Sequence, residues 1–207
     1  METKDKKLII VEKAEELFAS QGFSGTSVRE IAKAADVNVA MISYYFGSKE
    51  QLLMEILRYR SDYLQTKVDD LLNSATLSWW DKMDIHIDYY VEKMRDNQHL
   101  HRIIVREVDM NSGSEMSEFI LQRKKAHFDR FCDFIKQGQE AGVFATDVDL
   151  LGLYTLLPGV SKHILFNQDF MRVIIEERTG NTPTKDDMLD FAKEFLKKLF
   201  RKNLEII

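Results

Sequence analysis

Apolar side chains recur every three or four positions along almost the whole chain, and the strict alternation of a half-buried strand is scarce. Ile10, Ala14, Leu17 and Phe18 form an i, i+4, i+7, i+8 stripe, and Gly22 closes that helix. Ser27-Val28-Arg29-Glu30 reads as a capping box, with Glu30 returning to the cap. The helix it opens carries Val28, Ile31, Ala32 and Ala35 inward and ends at Asp36. A third, very short helix is expected from about Val39 to Tyr45. A fourth starts behind Ser48 as its cap and runs on through good helix formers for several turns.

Beyond Ser74 the pattern predicts a larger helical body. Trp80, Met83, Ile87, Tyr90 or Val91, and Met94 make one amphipathic stripe. Residues 99–110 suggest a shorter helix, ended by Asn111-Ser112-Gly113-Ser114. A long helix follows with Phe128, Phe131, Cys132 and Ile135 on one face, closing near Gly142. Thr146 to Asp149 look like the start of another helix, and residues 148–165 are apolar on nearly every side. Such a helix must be buried, often against a second copy of itself, and Pro158 is expected to kink it. The last helix has Thr184 as cap, acids in its first turn and bases in its last, matching the helix dipole. No internal repeat or low-complexity linker interrupts the series. The fold class is therefore all-α, with a head at residues 1–47, a linker helix from 48, and a larger helical domain at 48–207.

Composition narrows the picture. Hydrophobic residues make up 44% and charged ones 30% of the 207 positions, ordinary for a globular protein. Two prolines and nine glycines leave few breakers, in keeping with long helices. A net charge of -5 gives no global field toward nucleic acid or anionic membrane, so any such binding must be local. A single cysteine, Cys132, excludes an intrachain disulfide framework and a multi-cysteine zinc site. The apolar run Leu8–Val11 is too short for a signal-peptide core, and no stretch approaches the ~20 apolar residues of a membrane span. The expectation is a cytoplasmic protein in a reducing compartment.

The three short helices at the N-terminus, the second and third joined by a tight turn, form a helix-turn-helix arrangement. Ala32 is small where the two helices touch, Val37 fills the turn, and Ile42 and Phe46 face inward. That leaves Asn38, Met41, Ser43, Tyr44 and Tyr45 around the remaining surface. Asn and Ser suit base edges or phosphates, and Val39, Ala40 and Met41 suit thymine methyls. Tyrosine hydroxyls on rigid rings suit phosphate oxygens. Lys49 at the head of the next helix would join its charge to free backbone N–H groups as an anion site.

Residues 10–53 resemble the N-terminal domain of the tetracycline-repressor (TetR) family of transcriptional regulators. The matching pieces are Leu17-Phe18 followed by Gly22-Phe23, then Thr26 to Val37, then Tyr44-Tyr45-Phe46 and Ser48-Lys49-Glu50. Residues 138–160 are similar to the family's ligand-binding half. The resemblance implies a motif at about 27–46, with Ser27 and Arg29 touching phosphate or a base. It implies Asn38, Val39, Ala40, Met41 and Ser43 in the major groove, and Tyr44, Tyr45 and Lys49 gripping the backbone. One departure stands out: the turn position usually held by glycine is Asp36, which tolerates a left-handed conformation better than most residues. Residues 1–64 hold nine Lys/Arg against ten Asp/Glu, so hydroxyls, amides and helix N-termini must carry much of any phosphate contact.

The five histidines show no metal or catalytic spacing, and no phosphate loop or nucleophile elbow occurs, so neither cofactor nor metal is expected. Methionines and aromatics suit an adaptable apolar cavity, with Met83, His86, Tyr90, Phe128 and Cys132 as candidate lining. Gly152 and Gly159, a heptad apart, would let helices approach closely. With Leu156, Phe195 and Leu199 they are the candidate dimer interface. The expected function is a ligand-responsive repressor that binds a palindromic double-stranded DNA operator as a homodimer and is released by a small, mainly apolar effector. The alternatives are a helical protein-interaction module and a helical-bundle enzyme without DNA binding.

Overall fold

The computed structural model describes residues 2–72, 74–98, 101 and 113–206, with the side chains of 2–5 and 61–71 outside that description. The helix expected over residues 99–110 falls almost wholly outside the described residues. Nine α-helices and no strand occur among the described residues. They are α1 (Glu2–Gln21), α2 (Val28–Ala34), α3 (Val39–Phe46), α4 (Lys49–Leu72), α5 (Trp79–Asp96), α6 (Glu115–Glu140), α7 (Leu150–Phe166), α8 (Gln168–Thr179) and α9 (Lys185–Leu204). The chain divides into two compact units, Met1–Lys67 with His99–Arg123, and Val68–Gln98 with Lys124–Ile207.

In the first unit, Ile10, Ala14 and Phe18 of α1 bury against Ile31, Ala32 and Ala35 of the second helix and Ile42 and Phe46 of the third. The α2 start is the predicted capping box: Glu30 N–H donates to Ser27 Oγ at 3.2 Å, and Ser27 N–H to Glu30 Oε2 at 2.8 Å. Asn38 caps α3 by accepting from Ala40 N–H at 2.8 Å. Between the two helices Asp36 takes φ 51, the left-handed conformation in which the chain must turn. Val37 N–H then reaches back to the Ala32 carbonyl at 3.0 Å. Leu52, Leu53 and Ile56 of α4 complete this core, joined by Met116 and Ile120 from the first turns of α6. The reading head therefore does not end where α4 begins, because the first turns of α4 are part of its core.

The second unit is built on α5, α7 and α9 with the later turns of α6. Met83, Ile87, Val91 and Met94 bury the predicted face of α5, and six residues of α9 from Met188 to Leu204 bury with them. A ladder on the flank of these two helices pairs Asp84 with Arg201 at 2.7 Å, Asp88 with Lys197 at 2.8 Å and Glu92 with Lys193 at 2.7 Å. The one-turn spacing on both helices fits an antiparallel pair. Gly138 lies so close to the Phe144 ring that a Cβ there would collide with it. Helix α7 runs unbroken through Pro158. One feature differs from the sequence reading, and one adds to it. Helix α8 was not anticipated, since it buries no residue and its Asn167 makes no side-chain cap. Gly152 has a local role: a Cβ there would lie 2.6 Å from Asp149 Oδ2, the carboxylate that caps α7.

Candidate nucleic-acid interface and ligand core

Helix α3 points Ile42 and Phe46 into the first core and leaves Asn38, Val39, Ala40, Ser43 and Tyr44 exposed, with Met41 half-buried. Tyr44 is 83% exposed. Tyr45 is half-buried, edge-on between Tyr44 at 5.3 Å and Phe46 at 6.2 Å, which fixes its ring by packing. Ser27 and Arg29 are exposed at the head of α2. Among these residues Arg29 is the one with a charged side chain, and Met41 and Tyr45 are partly withdrawn from solvent.

Lys49 is arranged differently from the expectation. Its Nζ donates to the Phe23 carbonyl at 2.8 Å and the Thr26 carbonyl at 3.0 Å, and lies 4.3 Å from the centre of the Phe23 ring. The ammonium is turned inward on the α1–α2 connection, so two of its three donors are already used. The Phe23 carbonyl also accepts from Thr26 N–H at 3.3 Å, so the ammonium adds a second donor to that turn. Lys49 therefore ties the head of α4 to the start of α2, and its role as a free anion site is reduced to one remaining N–H.

Of the proposed pocket residues, Met83, His86 and Cys132 are buried in the second unit, with Tyr90 and Phe128 packed partly buried against the same core. His86 is 6% exposed, and neither of its ring nitrogens has a hydrogen-bond partner. His127 of α6 stacks on it at 5.9 Å, and Tyr90 and Tyr154 rings lie 6.1 and 5.8 Å from His127. His127 Nδ1 meets the Tyr154 hydroxyl at 3.2 Å. Burial lowers the pKa of His86 to about 4, with the nearby Lys93 charge adding to it. For His127, burial and then His86, Lys93 and Arg130 lower it to about 3. Both imidazoles are neutral near pH 7. Burial also lowers Lys93, to about 8, and raises the Tyr90 phenol. His127, Tyr154 and Lys93 were not singled out by the sequence reading. Lys93 lies two turns after His86 on the same face of α5, which a search for polar groups at i+7 would have found. The contribution of α6 and α7 depends on long-range packing.

The proposed interface residues lie on α7 and α9. Gly159 is exposed, Leu156 and Leu199 half-buried, and Phe195 41% exposed, its ring stacked on Phe191 at 5.8 Å.

A tight two-helix turn presenting a polar, aromatic-edged helix, followed by an all-helical body, defines the helix-turn-helix regulators. Residues 10–56 match the family model described as bacterial regulatory proteins, tetR family, and residues 81–196 match the tetracyclin repressor-like C-terminal domain. The chain belongs to the tetR family of bacterial regulatory proteins, a family of DNA-binding transcriptional regulators and not of enzymes. It is 40% identical over 129 residues to YttP of Bacillus subtilis (strain 168), an HTH-type transcriptional regulator by name. That match spans 59% of this chain and 59% of that relative, less than two thirds of either. It is 24% identical over 151 residues to the HTH-type transcriptional repressor KstR2 of Mycolicibacterium smegmatis, covering 72% of each. The structure of a transcriptional regulator from Saccharomonospora viridis in complex with choline shares the fold, with TM-score 0.78 and 18% identity over 99% of this chain and 100% of that one.

Proposed function

We propose that this chain is a ligand-responsive repressor that binds a palindromic DNA operator as a homodimer and releases it when a small, mainly apolar effector enters the second unit. The observation that carries the reading is the outward face of α3, where polar and methyl-bearing groups stand exposed on a helix whose opposite side is locked into a core. Asn38 keeps its amide N–H₂ for a base edge while its oxygen caps the helix. Ser43 offers a hydroxyl, and Val39, Ala40 and Met41 offer thymine contacts. Tyr44 and Tyr45, with Ser27 and Arg29, would hold phosphates on either side. Lys49 contributes chiefly by holding the α1–α2 turn, with its last N–H toward the backbone.

A dimer is supported by the apolar groups left outside on α7 and α9. Leu151 is 61% exposed and the Phe191–Phe195 stack is half in solvent, and a Cβ at Gly159 on α7 would meet open space. These faces would pair as a four-helix bundle, and two-fold symmetry would set half-site centres about 34–36 Å apart or a multiple of that. Helices α4 and α6 each begin in the first unit and continue into the second. A ligand that displaces the later turns of either would act on the core beneath α3, which is the differential contact that release requires.

The test is selection of bound duplexes from a random pool with purified protein at fixed salt. A palindrome with half-sites at that spacing supports the reading, and no enrichment at low salt contradicts it. Tyr45→Phe weakens operator binding without unfolding the protein; unchanged affinity removes its phosphate role. Phe195→Glu or Leu156→Glu yields monomers by sizing with light scattering, and a persisting dimer displaces the interface from α7 and α9.

A further inference from the structure

Three helices of the second unit bring donors together around an unpartnered imidazole: His86, Tyr90 and Lys93 from α5, His127 from α6 and Tyr154 from α7. We propose that this cluster is the receptor for a carboxylate, and that the effector is an amphipathic monocarboxylic acid whose charged head lies among these five side chains. Its apolar body would lie among the adjoining methionine and aromatic residues of the same core. The inference rests on the effector reading above and names the chemistry of that ligand.

The balance of charge and hydrogen bonds points this way. His86 has both nitrogens unpartnered at near-complete burial, a position that is costly unless a ligand supplies the missing partners. Lys93 is largely enclosed and makes no ion pair among the described residues. On α5 it stands about one turn after Tyr90 and two turns after His86, on the same side of the helix. The two imidazoles stack at 5.9 Å, and the Lys93 charge contributes to lowering both. The carboxylates that could have neutralised it are occupied. Asp84, Asp88 and Glu92 hold Arg201, Lys197 and Lys193 of α9 on the other flank of α5. On α6, Arg130 adds further positive charge toward His127, and the Cys132 thiol is kept protonated by burial. The cluster is thus rich in donors and short of acceptors. A cation would be repelled, and a neutral molecule would leave the ammonium unmatched. A carboxylate accepts from Lys93 and the tyrosine hydroxyls, and its charge favours proton uptake from solvent by His86, after which both ring nitrogens donate. Binding is therefore coupled to net proton uptake, and affinity rises as the pH is lowered from neutrality until the ligand itself protonates.

The experiment is isothermal titration calorimetry of the full-length protein with hexanoate, decanoate, hexadecanoate and phenylacetate. Decanol and decylamine serve as matched neutral and cationic probes, and each titration is run in phosphate and in Tris. The expected result is binding by at least one of the acids, with a heat that differs between buffers in the sense of proton uptake. The matched alcohol and amine bind about tenfold more weakly or worse, the scale of a lost charge-assisted hydrogen bond. Lys93→Met and His86→Leu each weaken the acid by about tenfold or more while keeping their thermal transition. Failure of every acid to bind, equal affinity for decanol, or unchanged affinity in Lys93→Met overturns the proposal. Operator binding alongside such a failure leaves the regulator reading standing. An acid held through Lys93 that leaves the operator complex intact overturns effector release instead.

Discussion

In the first unit Thr26, 1% exposed, donates its hydroxyl to the Gly22 carbonyl at 2.8 Å, while Lys49 serves the carbonyls of Phe23 and Thr26. In the second unit His86 is nearly as enclosed, yet has no partner on either nitrogen, and Ser161 Oγ is likewise unmatched. Thr26 and Lys49 in the head are matched, and they fix one arrangement of the connection before α2. In the body Lys82 is matched by the Leu72 carbonyl, but His86 and Ser161 are not, and for His86 the proposed carboxylate would relieve that state. A surface that reads a fixed partner gains from rigidity, whereas a sensor gains from a core in which the bound form is better satisfied than the free one.

The largest effect that would sharpen this contrast is in the head. Ile42→Ala leaves a cavity beneath α3 and is expected to cost about 2–5 kcal/mol in urea unfolding. A change within a few tenths would mean the core there is loose. Next comes Lys49→Met, which removes the ammonium from the Phe23 and Thr26 carbonyls of the turn. The expected loss is about 1–3 kcal/mol, with weakened operator binding; unaltered stability would show the ammonium is not the tie. The smallest is Tyr44→Ala. With its side chain in solvent it should change stability by no more than about 0.5 kcal/mol, while operator binding falls. Undiminished DNA affinity would remove it from the interface.

How much could be read from the chain follows the range of the interaction. The Ser27 and Thr184 caps, the Gly22 stop and the inward stripes of α1, α2 and α5 are local patterns, and they appear in the structure as the periodicity implied. Asp36 was readable as a left-handed turn residue because it stands where the family that the chain resembles usually has glycine. Helix α8 was missed because it lacks a buried stripe and a side-chain cap, the two signals on which such readings depend. Lys49 looked outward because its partners, 26 and 23 positions earlier, are backbone carbonyls that a sequence does not display. The Asp84–Arg201 and His127–Tyr154 contacts join residues 117 and 27 positions apart, where only the packing of helices decides which faces meet. In the candidate ligand core, Met83, His86 and Tyr90 of α5 and Phe128 and Cys132 of α6 were accessible to reasoning, whereas Lys93, His127 and Tyr154 were not.

The contrast between the two cores rests most directly on His86, and the decisive measurement is the unfolding free energy of His86→Leu beside the parent protein across the acid range. Burial lowers the folded pKa of His86 to about 4 from 6.5. The unfolded chain therefore takes up a proton as pH falls below 6.5 while the folded chain does not until about 4. The stability linked to this group is complete above pH 6.5 and declines steadily as the pH falls toward 4. His86→Leu should be as stable as the parent or more so at neutral pH, and its decline between those two pH values should be shallower. A variant less stable at neutral pH, with an undiminished acid limb, would show that His86 is a satisfied structural residue and contradict the account of the second unit as a sensor core.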